Sequence, residues 1–257
     1  MRILAIGDVT SSGGLNHLCK NLARVRREKN IDFCIVNAEN ASFISGISPD
    51  GADRLLLSGA DVITGGNHTL QAGGIGEYLD SRSDVLRPIN YGDYAAGRGY
   101  SVIDLGHTRV LVVNAMGNSF IEPVLDNPYS YIDKALKECR GEYDIAIMDI
   151  HAESTGEKLA LAFNYDGAFS VIFGTHTHVP TADARILPKG TGYISDLGMC
   201  GESGGIMGME PESVLTKMKA RLPGRFKLAS GPVVADGVIF TVDKTTKKTI
   251  DIERIMF

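Results

Sequence analysis

Short runs of β-branched and apolar residues alternate with helical patterns over the first two thirds of the sequence. Residues 2–6 and 33–36 predict strands, and apolar residues on one face predict a helix over 15–27 between them. The same reasoning predicts further strands at 61–64, 100–105, 110–114, 145–148 and 171–173, and further helices at 49–58, 74–80, 130–138 and 158–164. Such alternation is typical of an α/β fold.

The last third of the sequence is richer in strands. Residues 192–194, 237–242 and 250–255 predict strands, residues 210–221 predict a helix, and the glycine-rich residues 201–208 predict a loop. No internal repeat, low-complexity tract or linker is evident, so we predict a single domain over 1–257. The whole pattern predicts an α/β fold in which two β-sheets pack together and helices lie outside.

The composition argues against several classes of protein. A chain of 257 residues with 44% hydrophobic and 22% charged residues can bury a full core without disulfide or metal staples. The formal net charge of −5 argues against a stable complex with nucleic acid or a membrane surface, and no apolar run is long enough to span a bilayer. The four cysteines form no CxxC pair, which is typical of reduced thiols in a cytoplasmic protein.

Acidic, amide and imidazole side chains follow five predicted strands at the point where each strand ends. In chain order they are Asp8, Glu39 with Asn40, Asn67 with His68, His151, and His176 with His178. Because loops at the carboxyl ends of strands converge in an open α/β sheet, we expect these side chains to share one crevice. Taken alone, Asp8 also suits a helix N-cap and Asn67 a left-handed turn. Their joint position favours a functional site.

The chemistry of these residues is that of metal ligands. Asp and Glu oxygens with neutral imidazoles suit Mn, Fe, Zn or Co, and the absence of a thiolate pair argues against a zinc ribbon. His176 and His178 are two residues apart, so both rings would lie on one side of an extended segment. Seven ligands among these eight side chains would be too many for one ion and would suit two ions that share a carboxylate. Paired ions serve in-line phosphoryl displacement by hydroxide.

Five short blocks carry a resemblance to a known family: residues 7–8 (GD), 37–40 (NAEN), 66–69 (GNHT), 151–153 (HAE) and 174–178 (GTHTH). They resemble the signature blocks of calcineurin-like metallophosphoesterases, and more narrowly those of the YmdB-like bacterial family. The segments at 181–183, 196–199, 237–238 and 252–255 also resemble the narrower family, so the resemblance runs along the whole chain. It implies a four-layer αββα sandwich of two mixed β-sheets with a di-metal site at the sheet edges.

The resemblance also implies a role for each site residue. One ion would take Asp8, Glu39, Asn40 and His178, and the second would take Glu39 as a bridge with Asn67, His151 and His176. His68 would not bind metal; it would lie over the substrate phosphate and protonate the leaving oxygen. The sequence departs from the wider superfamily at Thr10, where a histidine is usual, and Pro180 stands where a polar residue is expected. Asp149 and Asp183 are candidates for orienting the imidazoles.

The leading hypothesis is a cytoplasmic di-metal phosphodiesterase that uses a metal-bridging hydroxide. Fe or Mn are the expected ions, and Zn, Co and Mg also suit the ligands. The resemblance points to small nucleotide phosphodiesters, 2′,3′-cyclic nucleotides above all, and is compatible with a homo-oligomer. Two alternatives stay open: a phosphomonoesterase that uses the same two ions, and a regulatory protein that binds metal and nucleotide with little turnover.

Overall fold

The computed structural model describes residues 1–42, 46–221 and 223–257, and within them two β-sheets pack together. The α-helices of these residues are α1 (Ser11–Glu28), α2 (Pro49–Leu57), α3 (Ile75–Ser81), α4 (Pro128–Glu138), α5 (Thr155–Asn164) and α6 (Pro211–Ala220). The strands are β1 (Arg2–Ile6), β2 (Asp8–Val9), β3 (Phe33–Asn37), β4 (Val62–Thr64), β5 (Tyr100–Asp104), β6 (Arg109–Met116), β7 (Ile145–His151), β8 (Val171–Thr175), β9 (Arg185–Ile186), β10 (Gly192–Ile194), β11 (Met199–Glu202), β12 (Val233–Val242) and β13 (Thr249–Met256). None of these helices combines the length and the apolar character that crossing a bilayer requires.

Parallel strands form a large part of both sheets. The first sheet has the order β2-β11-β12-β1-β3-β4, with β13 also paired to β12, and its strands β1, β3 and β4 are parallel. The second sheet has the order β5-β6-β7-β8-β10-β9, and its four inner strands are parallel. The register brings carboxyl ends level, because Val36 lies opposite Ile6 and Thr175 opposite His151. The loops that follow the parallel strands therefore lie together at one end of each sheet.

Alternating side chains of the strands build three apolar layers. In β1, Leu4 and Ile6 pack with the apolar face of α1, while Ile3 and Ala5 belong to the layer between the two sheets. That central layer also holds side chains of the second sheet such as Phe173. A third layer lies between the second sheet and helices α4 and α5. The period of two along each strand thus produces an αββα order, and the predicted fold class is confirmed.

Most predicted elements are confirmed within a few residues, and the differences have local causes. Helix α1 begins at Ser11, before the predicted start, because the Ser-Ser-Gly-Gly stretch carries no apolar spacing. Strand β7 continues to His151 and β8 to Thr175, because backbone pairing carries polar residues into the sheet. The predicted glycine-rich loop is wrong at its start, where Gly201 and Glu202 pair with β12. Strands β2 and β9 are too short for periodicity to indicate them.

Candidate metal centre

The predicted site residues come from both sheets and lie together at the carboxyl ends of the parallel strands. The first sheet supplies Asp8 in β2, Glu39 and Asn40 after β3, and Asn67 and His68 after β4; the second supplies His151 at the end of β7, and His176 and His178 after β8. Carboxylate and amide groups therefore come from one sheet and three imidazoles from the other. All eight side chains belong to buried or half-buried residues.

One group of donor atoms surrounds Nε2 of His151. This nitrogen lies 3.1 Å from Nδ1 of His176 and 3.1 Å from Oδ1 of Asn67. Oε1 of Glu39 is 3.8 Å from the same nitrogen. The predicted ligands of the second ion are thus close neighbours.

A second group contains Asp8, Asn40 and His178. Nε2 of His178 lies 3.9 Å from Oδ1 of Asp8 and 3.3 Å from Nδ2 of Asn40. The other oxygen of Asp8, Oδ2, accepts a hydrogen bond of 2.9 Å from the backbone N–H of His176. This bond holds the Asp8 carboxylate against the loop that carries the histidines and leaves Oδ1 without a hydrogen bond to that loop.

The donor set fits metal ions in two respects. Neighbouring ligands of an ion with bonds of about 2.1 Å lie about 3.0–3.4 Å apart, and several of the separations above are close to that range. Oδ1 of Asp8 and Oδ1 of Asn40 are buried and have no hydrogen-bond partner within the described residues, although a buried oxygen without a partner is costly. Across the same residues no three His, Cys, Asp or Glu side chains already form a coordination group. An ion would therefore draw these donors inward and would need the two asparagines as well.

Burial sets the charge of the site. It raises the pKa of Asp8 well above its usual value, and the nearby Asp196 carboxylate raises it further. Burial also raises the pKa of Glu39. Conversely, burial lowers the pKa of His151 far below normal and that of His176 and His178 to about 4. The imidazoles are therefore neutral with a lone pair available for a metal, while the buried carboxylates are destabilised as anions until a cation lies beside them.

A chain of hydrogen bonds orients His151. Its Nδ1 lies 3.0 Å from the hydroxyl of Thr175, and that hydroxyl donates a 2.9 Å bond to Asp149. Asp149 is fully buried and thus acts on the imidazole through Thr175, which leaves Nε2 facing the other donors. The expectation for Asp183 is wrong, because its carboxylate instead accepts bonds from the N–H and the hydroxyl of Ser195.

His176 and His68 have carboxylate neighbours of their own. Nε2 of His176 lies 3.3 Å from Oε2 of Glu153, so its Nδ1 faces His151. Nδ1 of His68 lies 3.1 Å from Oε1 of Glu39, and its backbone N–H donates to the same oxygen. The His68 side chain is 23% exposed, whereas that of Glu39 is fully buried. His68 therefore lies on the open side of the candidate bridging carboxylate.

The HxH segment does not have the extended backbone that we predicted. His176 has φ of 103° and His178 has φ of 63°, both in the left-handed region that residues with a side chain rarely adopt. The rings converge because the chain turns sharply, and not because alternate side chains of a strand share one face. Thr10, where the superfamily pattern has a histidine, donates its hydroxyl to the carbonyl of Cys200. Pro180 lines a cavity of about 290 Å³ together with Leu197.

Sequence reasoning missed a buried ion pair beneath this turn. Lys158 and Asp196 are both fully buried, and Nζ of Lys158 donates a 2.9 Å bond to Oδ2 of Asp196. Two signals could have indicated the pair. Lys158 shares the buried face of α5 with Leu161 and Ala162, where a lysine needs a partner. Asp196 follows the parallel strand β10, at the same end as the other site residues.

The fold and the site define a structural class, four-layer αββα sandwiches with acidic, amide and imidazole side chains at the ends of parallel strands. The sulfate thiohydrolase SoxB of Thermus thermophilus, in a structure with glycerol, shares the fold with a TM-score of 0.58 at 16% identity, over 96% of this chain and 43% of that chain. The predicted recognition is also confirmed. The chain belongs to the YmdB-like protein family, whose sequence model matches residues 4–255.

Two further relatives match almost end to end. The 2′,3′-cyclic-nucleotide 2′-phosphodiesterase of Bacillus subtilis strain 168 is 40% identical over 256 residues, which cover 100% of this chain and 97% of that protein. A crystal structure described as a novel phosphatase from Mycoplasma pneumoniae is 34% identical, with a TM-score of 0.92 over 100% of this chain and 93% of that chain.

Proposed function

We propose that this protein is a metal-dependent phosphoric diester hydrolase that opens 2′,3′-cyclic nucleotides to nucleoside monophosphates. The substrate class is supported by the name of the Bacillus subtilis relative, which spans the whole chain. The metal requirement is supported by one oxygen each of Asp8 and Asn40, which are buried among neutral imidazoles and have no hydrogen-bond partner in the described part of the chain. That combination is the single observation on which the proposal depends most.

Seven residues would hold two ions in this proposal. Asp8, Asn40 and His178 would serve one ion, Asn67, His151 and His176 the other, and Glu39 would bridge them. Two bound ions would activate a water molecule for in-line attack on phosphorus and neutralise charge on the phosphoryl oxygens. Fe and Mn are the ions that we propose for the site, because carboxylate, amide and imidazole donors suit them.

The side chains around the donors would perform the remaining tasks. The Thr175–Asp149 chain keeps Nε2 of His151 facing the other donors, and Glu153 does the same for Nδ1 of His176. When the bond from phosphorus to one ribose oxygen breaks, that oxygen needs a proton. We assign this proton to His68, the half-buried imidazole beside Glu39.

The assay that tests the proposal compares 2′,3′-cyclic AMP, 3′,5′-cyclic AMP and a phosphomonoester as substrates. The metal-free protein is reconstituted separately with Mn²⁺ and Fe²⁺. We expect metal-dependent opening of the 2′,3′ ring, with slower turnover of the other two esters. No turnover of any ester, with metal and nucleotide still bound, would contradict the proposal and favour a regulatory binding protein.

A phosphomonoesterase is the second candidate, and one observation favours it. The Mycoplasma pneumoniae structure that matches with a TM-score of 0.92 is described as a phosphatase. The same pair of ions could act on either ester, so faster turnover of the monoester in the assay above would select this candidate.

We also propose that residues 1–257 form a single domain. The apolar layer between the sheets supports this, because it joins strands from near both ends of the chain, such as β1 and β12, with the central strand β7.

A further inference from the structure

The buried pair Lys158–Asp196 bonds to the turn that carries two candidate metal ligands. Nζ of Lys158 donates a 2.8 Å hydrogen bond to the carbonyl of Thr175, directly before His176. Oδ2 of Asp196 accepts a 2.9 Å bond from the N–H of Thr177, between His176 and His178. The pair therefore bonds to the backbone on both sides of His176.

Asp196 also joins this turn to a second segment. Its Oδ1 accepts a 3.0 Å bond from the N–H of Gly198, and the carbonyl of Gly198 accepts a 3.2 Å bond from the N–H of Asp8. One carboxylate thus connects the backbone near His176 and His178 with the backbone of Asp8. Asp196 therefore connects the backbones of three candidate ligands, two from the second sheet and one from the first.

The turn needs such support because its backbone conformation is unfavourable. Positive φ at both His176 and His178 costs free energy at residues with a side chain, and such conformations persist only where the surroundings enforce them. The packing beside the turn is also tight. A Cβ on Gly174 would lie 1.9 Å from the carbonyl oxygen of Ser195 and 2.7 Å from Cδ of Lys158, so glycine at this position makes room for the neighbouring backbone and for the lysine stem.

We propose that Lys158 and Asp196 are positioning residues that preform the His176–His178 turn before metal binds. The inference rests on the proposed function, because it treats these histidines as ligands. Neither residue touches substrate or metal in this account. They act by fixing the backbone from which the imidazoles project.

The first test uses hydrogen exchange in the metal-free wild-type protein. We expect slow exchange at the amides of Thr177 and Gly198, because Asp196 accepts both. Rapid exchange there, with the neighbouring strands β8 and β10 protected, would overturn the proposal. This result does not depend on whether the protein binds metal or hydrolyses an ester, so it separates failure of the inference from failure of the proposed function.

The second test measures Mn²⁺ affinity by electron paramagnetic resonance in Asp196→Asn and in the double variant Lys158→Met/Asp196→Asn. The double variant leaves no unpaired buried charge, so it should remain folded even where a single variant does not. We expect the Mn²⁺ dissociation constant to rise about 10–100-fold in both, as is usual when a group that orients ligands is lost. Wild-type affinity in either folded variant would contradict the proposal.

Asp166→Asn is the matched control for these variants. Asp166 is also buried and accepts two backbone bonds, from the N–H groups of Lys189 and Thr191, but it lies at the opposite end of the second sheet. We expect the Asp166→Asn variant to be less stable than the wild type. Its Mn²⁺ dissociation constant should stay within about twofold of wild type, a much smaller change in affinity than the loss of an orienting group causes. An equal loss of affinity in Asp166→Asn would show that general destabilisation, and not the turn, determines metal binding.

Discussion

Carboxylates have opposite surroundings at the two ends of the sheets. At the amino end of β7, Asp144 accepts a 2.8 Å hydrogen bond from the N–H of Arg109, and this bond lowers its pKa. At the carboxyl end, Oδ1 of Asp8 has no hydrogen-bond partner among residues 1–42, 46–221 and 223–257, and burial raises the pKa of Asp8. The folded protein thus stabilises the charge of an outlying carboxylate and destabilises that of a carboxylate in the candidate metal centre.

The same contrast extends to the histidines. His151 and His176 are each held at one ring nitrogen, by Thr175 and Glu153 respectively, so that the other nitrogen faces the remaining donors. By contrast, Nε2 of His17 on α1 lies 3.1 Å from the carbonyl of Phe257, and the two rings stack. A histidine outside the site thus closes a packing contact, whereas those inside it leave a nitrogen available.

The largest expected effect is that of Glu39→Gln. Loss of the candidate bridging charge should reduce hydrolysis of 2′,3′-cyclic AMP by at least about 1000-fold, because both ions depend on it. The protein should stay folded, since glutamine can still accept the bond from the N–H of His68. Asp144→Asn, the same type of change at the other end, should keep wild-type turnover in the same assay. Full activity of Glu39→Gln would remove the shared carboxylate from the mechanism.

His68→Ala should have the next largest effect. A group that protonates the leaving oxygen contributes about 10²–10⁴-fold to the rate, so kcat should fall by that factor. The Mn²⁺ dissociation constant should change little, because His68 lies beside the donors and is not counted among them. A substrate whose leaving group has a low pKa should restore much of the rate of the His68→Ala variant, since that leaving group needs no proton. If kcat were unchanged, or if metal affinity fell with it, the role assigned to His68 would be wrong.

Asp8→Asn should affect the metal-free and metal-loaded proteins in opposite ways. Because the folded-state pKa of Asp8 is raised, its ionised form opposes folding at pH 8 and its protonated form does not. The variant should therefore be more stable than the wild type without metal, by about 1 kcal/mol, the scale typical when a functional strain is relieved. This gain should shrink as the pH falls.

Thermal unfolding with and without Mn²⁺ measures this effect. At a free metal concentration 100 times the dissociation constant, the wild type should gain about 2.7 kcal/mol, and Asp8→Asn should gain clearly less. A metal-free Asp8→Asn protein that melts below the wild type would mean that the Asp8 carboxylate stabilises the fold, which would remove the contrast with Asp144.

Asp144→Asn should have the smallest effect, and it should lower the stability of the protein, whereas Asp8→Asn should raise that of the metal-free protein. The folded-state pKa of Asp144 is lowered, so its charge stabilises the protein above the unfolded-state pKa, and this contribution disappears as the pH falls through the folded-state value. The variant should melt slightly below the wild type at pH 7, and the two should converge in acid. Melting curves at pH 7 and in acid compare them; an equal difference at both pH values would contradict the electrostatic explanation.

The fold and the location of the site could be predicted from the sequence because both depend on local patterns. The continuous apolar run of strands such as β1 and the apolar face of α1 are evident from the sequence alone. So is the position of Asp8 and Asn67 directly beyond predicted strands. The rule that carboxyl ends of parallel strands converge then brings these side chains together without coordinates.

The geometry of the site could not be predicted, because it depends on contacts between residues far apart in the chain. The pairing of Lys158 with Asp196 and the bond from His176 to Asp8 join different elements. Spacing alone predicted an extended HxH segment, whereas these contacts hold a left-handed turn that a local rule disfavours.

The sequence by itself determined an α/β fold of two packed sheets with helices outside, and which donor types stand at which strand ends. The tertiary structure alone decided which nitrogen of an imidazole faces the other donors, which carboxylate oxygen has no partner within the described residues, and which lysine is buried. The physical reason is that burial and hydrogen bonding are properties of the assembled layers. A side chain acquires its pKa and its orientation only when distant strands close around it.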